Sequence, residues 1–104
     1  MNDVIQKCEQ ALERHYGEQF RGLVLYGSMA RHQADDSSDI DLLVLLSGSF
    51  DYFAELQRIV DVLYPVQLES NLLISAKPVA IEEFEAGRVA LYRIAKREGV
   101  EMWT

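Results

Sequence analysis

Apolar side chains recur at helical spacing near the start of the chain, at Val4, Ile5, Cys8, Ala11 and Leu12. The spacing predicts an amphipathic helix from Asn2 to about Tyr16, with Asn2 or Asp3 as N-cap and Gly17 as its stop. The pattern then changes. Gly22 to Tyr26 is almost continuously apolar, which marks a strand buried on both faces. A polar loop, His32 to Ser38, leads into a second such run from Asp39 to Leu46, ended by Ser47-Gly48-Ser49. Helical spacing returns at Phe50, Phe53, Leu56, Ile59, Val60 and Leu63 and predicts a helix from about Asp51 to Tyr64, closed by Pro65. Val66 to Ser75 reads as a third strand with Glu69, Asn71, Leu73 and Ser75 on one face, closed by Pro78. Ile81 to Glu85 reads as a short helix stopped near Gly87. Leu91, Ile94 and Ala95 extend a further helix to about Glu98, Gly99 ends it, and Val100 to Trp103 reads as a short final strand or an extended end. These elements predict one small α/β (α+β) domain over residues 1–104, a mixed sheet flanked by helices.

Two places in this pattern carry chemistry. Side chains alternate along a strand, so Asp39 and Asp41 share a face while Ile40 points into the core. Two carboxylates on one face with no adjacent Lys or Arg repel each other unless a cation lies between them. A hard divalent ion answers that repulsion, Mg²⁺ above all, and Mg²⁺ commonly brings phosphates with it. The second place is the turn after the first strand. Gly27 allows close approach of a ligand to the backbone, and Ser28 opens a short helical stretch whose free N–H groups favour an anion. Arg31 adds a cation nearby. A phosphate cradle at one strand end beside a metal-binding pair on the next describes a phosphoryl- or nucleotidyl-transfer site.

The wording Gly27-Ser28-Met29-Ala30-Arg31, then Ser38-Asp39-Ile40-Asp41-Leu42-Leu43-Val44, with ten residues between Ser28 and Asp39, resembles the signature of the DNA polymerase beta nucleotidyltransferase superfamily. Within it the chain is most similar to the minimal nucleotidyltransferase (MNT) group, commonly paired with HEPN-domain partners as antitoxins. The resemblance implies the nucleotidyltransferase fold, with Asp39 and Asp41 holding Mg²⁺ (Mn²⁺ being an alternative) and Gly27, Ser28 and Arg31 binding ATP. It also implies a third catalytic, metal-binding carboxylate on a later strand. Glu69 is the candidate, since Asn71, at the other matching position, is neutral. The implied activity is transfer of AMP, or another NMP, from an NTP to a hydroxyl of a partner protein such as a HEPN-type ribonuclease toxin. The alternatives are a binding module that neutralises the same partner by contact, and transfer to a small molecule such as an aminoglycoside, which would need a second domain to hold it.

Composition narrows the partners. With 17 acidic against 10 basic residues the formal charge is −7, which disfavours a grip on long nucleic acid. An acidic protein docking a basic partner fits better, and a homo-oligomer is compatible with it. No apolar run approaches the roughly 20 residues of a membrane span. The start of the chain lacks the pattern of a secretory signal, and a single cysteine fits a reducing cytoplasm. Cys8, on the apolar stripe, reads as a small buried hydrophobe. Arg88, Arg93, Lys96 and Arg97 form the one basic run, read mainly as a solvated helix face.

Overall fold

A computed structural model describes residues 2–26, 39–87 and 89–103. The elements are α1 (Asn2–Tyr16), a 3₁₀ turn (Gly17–Gln19), β1 (Phe20–Tyr26), β2 (Ile40–Leu46), α2 (Tyr52–Glu69), β3 (Ile74–Ala80), α3 (Ile81–Ala86), α4 (Ala90–Glu98) and β4 (Val100–Trp103). The four strands form one mixed sheet in the order β3-β2-β1-β4. β1 pairs antiparallel with β2 and β4, while β2 and β3 run parallel, so α2 is the crossover between them.

The two-residue period of the central strands splits the core into two layers. Ile40, Leu42, Val44 and Leu46 of β2 pack with Ile5, Cys8 and Leu12 of α1 and with Ile59, Leu63 and Val66 of α2. Leu43 and Leu45 face the other way, onto Val79, Ile81, Phe84 and Ala95, beneath α3 and α4. Both faces of β1 and β2 are therefore covered, as their unbroken apolar runs require. Within β1 the register shifts between Phe20 and Gly22, and Gly22 has φ 140°, a conformation that a residue with a Cβ rarely adopts. Gly87 closes α3 at φ 64°, its N–H bonded to the carbonyls of Glu83 and Phe84. Among the described residues no helix is long and apolar enough to cross a membrane.

β1 begins two residues before the predicted Gly22, at Phe20, and two further boundaries differ from the sequence reading for one connected reason. Pro65 does not end α2, which runs on to Glu69. A proline inside a helix costs about 3 kcal/mol. Burial of Val66 against α1, one heptad beyond Ile59, offsets that cost with roughly 1.5–3 kcal/mol. The hydrogen bonds that lock the helix end supply the rest: Gln67 donates to the Leu72 carbonyl (3.0 Å) and accepts from the Ile74 N–H (2.7 Å). The third strand consequently lies at Ile74–Ala80 and not at 66–75. Pro78 lies inside it and does not close it. β3 is an edge strand, and a proline there can turn its missing N–H away from the ladder.

Candidate active site

The first turn of β2 places the two aspartates. Asp39 immediately precedes the strand and is exposed; Asp41 is its second residue and half-buried. The register sets Asp41 between Tyr26, the last residue of β1, and Ser75 of β3. This is the α3/α4 face of the sheet, at the end where that layer runs out: Leu43 and Leu45 continue the Asp41 row into the core, and Tyr26 and Tyr92 form its partly buried rim. Across the ladder from Leu43, on the same face, stands Lys77.

Burial holds the Asp41 carboxyl above its ordinary value of 3.8, the neighbouring Asp39 charge adds to the shift, and Lys77 opposes it. Tyr26 is likewise raised, first by burial and then by the Asp41 and Tyr52 charges. Among the described residues neither aspartate's carboxylate has a hydrogen bond or ion pair. A half-buried carboxylate without a partner among the described residues, beside a second of the same charge, fits a hard divalent cation with open positions for other oxygen ligands. Among the described residues, no group of three acidic, histidine or cysteine side chains gathers as a metal site.

Gly27, Ser28 and Arg31 lie outside the described residues. Glu69 does not share the Asp41 face of the sheet. It ends α2, and its carboxylate takes the Lys7 ammonium at 2.9 Å, an exposed pair between α1 and α2. The expectation of a third carboxylate at this position is thereby corrected, and its physical cause is the helix that continues through Pro65. Asn71 falls between α2 and β3, also off the strand. The polar β3 residues that share the Asp41 face are Ser75, which the sequence reading put on the strand face but not in the site, and Lys77, which it left beyond the strand. The alternation in Ile74-Ser75-Ala76-Lys77 was the available signal once Pro78 is allowed within an edge strand.

This architecture is a known one. The fold is that of the nucleotidyltransferases: a crystal structure from Sulfolobus solfataricus, of a protein provisionally classed as a nucleotidyltransferase, superposes with a TM-score of 0.64 over 98% of this chain and 81% of that one, at 18% identity. The sequence match is more specific. Residues 6–97 match the polymerase beta nucleotidyltransferase domain, and the chain belongs to that family. No curated protein matches it significantly.

Proposed function

We propose that the chain is a Mg²⁺-dependent nucleotidyltransferase that moves AMP from ATP to a hydroxyl of a partner protein, with a HEPN-type ribonuclease toxin as the partner class that the sequence resemblance implies. The observation that carries the reading is the pair Asp39 and Asp41, on one sheet face, unpartnered among the described residues, with a raised carboxyl at Asp41. In the reaction the acceptor oxygen forms a bond to the α-phosphorus, the bond to pyrophosphate breaks, and the hydroxyl proton leaves to solvent. A bound Mg²⁺ would supply charge neutralisation of the triphosphate and a lowered hydroxyl pKa. Asp39 and Asp41 would hold that ion; Gly27, Ser28 and Arg31 would seat the phosphates. Lys77, exposed on the same face, adds a cation that a triphosphate can reach.

One observation favours a second reading, in which the fold neutralises its partner by contact alone. β3 offers Ser75 and Lys77 where a third carboxylate was expected, and Glu69 is committed to Lys7. Incubation of the protein with α-³²P-labelled ATP, Mg²⁺ and a co-purified partner separates the two. Label on the partner that disappears with Asp41→Asn supports transfer, and Glu69→Gln should leave the label unchanged. A partner neutralised without label establishes the contact reading.

A further inference from the structure

The outer side of α2 carries an apolar stripe that no described residue covers. Phe53 is 77% exposed, Val60 53%, Tyr64 58% and Leu68 68%, and Leu73, just before β3, is 58% exposed. Spacings of seven, four and four residues keep the four helix positions on one side of α2, over roughly 22 Å of axis. Between α2 and the sheet edge lies an apolar crevice of about 240 Å³, with Val60, Tyr64 and Leu73 in its wall. Charge is scarce along this stretch. From Ile59 to Leu68 the single charged residue is Asp61, and its carboxylate accepts from Gln57 at 3.1 Å. In a chain of net charge −7, that local depletion is the compositional mark of an interface centre.

The neighbouring strand edge narrows the mode of contact. The Ile40 N–H donates to the Leu73 carbonyl, so Leu73, Ser75, Lys77 and Val79 aim their backbone groups at β2. Ile74, Ala76, Pro78 and Ala80 therefore present theirs to the open edge. Gln67 occupies the Ile74 N–H at 2.7 Å, and Pro78 has none. An added strand would find two of four donors missing, which disfavours pairing at this edge. Side-chain packing onto the helix remains.

We propose that this surface joins two copies of the chain through an antiparallel pair of α2 helices. Antiparallel packing sets Phe53 of one copy opposite Leu68 of the other, with Val60 and Asp61 beside the two-fold axis; Asp61 is exposed at the margin of the stripe, so the like charges of the two copies meet in water, where their repulsion is weak. The five exposed side chains offer roughly 500 Å² of apolar surface per copy, so their complete burial in a pair removes roughly 1,000 Å², the lower bound for a specific interface, to which a polar rim adds. Asp39 and Asp41 lie on the α3/α4 face, away from α2, and stay open in such a pair. The proposal is independent of the catalytic reading.

Sedimentation equilibrium of the full chain from 1 to 100 µM tests it. The expected mass is twice 11.9 kDa, falling to a monomer for Tyr64→Arg and for Val60→Arg with far-ultraviolet circular dichroism retained. Ile94→Arg, a substitution at an exposed apolar site on α4, should leave the dimer intact. Val60→Cys supplies a second readout that does not depend on disruption. Cys8 is buried, so the new thiol is the accessible one, and oxidation should give a covalent dimer on a non-reducing gel. A wild-type monomer at 100 µM would mean that a different protein covers the stripe and would overturn the proposal. So would a Tyr64→Arg dimer, or a Val60→Cys protein that stays uncrosslinked.

Discussion

Replacing Asp41 by Asn should stabilise the metal-free protein and abolish its response to Mg-ATP. Asp39 and Asp41 are two strand residues apart on one face, roughly 6–7 Å. Two unit charges at that distance repel by about 0.6 kcal/mol in water and about 2.5 kcal/mol at an effective dielectric of 20. Asp39 is exposed and Asp41 only half-buried, so solvent screening selects the lower figure, and Lys77 offsets part of it. Relief of about 0.5 kcal/mol corresponds to a Tm increase of about 2–4 °C in a domain this size. The sign with pH follows from the raised carboxyl. Asp41 favours its protonated form in the fold, so the stability it contributes is fully present below its ordinary pKa of 3.8 and is lost as pH rises through the folded value. The advantage of Asn is therefore present at pH 7 and vanishes near pH 3.5; added salt should shrink it as well. Thermal melts in EDTA at the two pH values measure this arm. In the ligand arm, Mg-ATP at 100 times its Kd should stabilise the wild type by about 2.7 kcal/mol, a shift that Asp41→Asn should lose. A variant that melts below the wild type in EDTA, or that keeps the Mg-ATP shift, refutes the cation site.

Tyr16→Phe removes a hydrogen bond to the buried Glu55 carboxylate (2.9 Å), leaving Arg58 (2.6 Å) as its side-chain partner, and should cost about 1.5–3 kcal/mol, read as a lower urea midpoint at unchanged m. Burial first, then Glu55, raises the Tyr16 phenol, so its stabilisation is complete below pH 10 and is lost above it; the gap between wild type and Tyr16→Phe should close in strong alkali. Gly99→Ala would drive a Cβ into the Ala95 carbonyl and within 2.8 Å of Val24 Cγ1 and 2.9 Å of the Leu25 carbonyl. Overpacking against backbone should cost about 1–3 kcal/mol and speed amide exchange in α4 ahead of α1. Cys8, its thiol pushed up to about 11 by burial, should resist iodoacetamide at pH 7.5 until the protein unfolds; modification at the rate of an exposed thiol would contradict its place in the core.

What could be read from the chain and what could not divide by the range of the physics. The Asp39–Asp41 pair was legible because strand alternation is local: two residues apart means one face, whatever the strand pairs with. The apolar runs of β1 and β2 announced burial on both sides, and helices do cover both sides. The opposite side of the site was not legible. Which β3 residue stands beside Asp41 depends on a parallel register fixed by the α2 crossover, and thus on where α2 ends. Local rules end it at Pro65. The packed molecule carries it to Glu69, because Val66 is buried one heptad after Ile59 and Gln67 clamps the chain that follows. That five-residue extension turns Glu69 from a strand residue near the carboxylates into the exposed partner of Lys7, and it moves Ser75 and Lys77 into the vacated position. A lysine there changes the electrostatic problem. The site that the resemblance casts as three negative charges around metal shows, among the described residues, two carboxylates opposed by a cation. Such a site can hold one divalent ion with its triphosphate more readily than two ions. Any transfer it performs would then rest on positioning of the acceptor hydroxyl by the bound partner rather than on a second ion of its own.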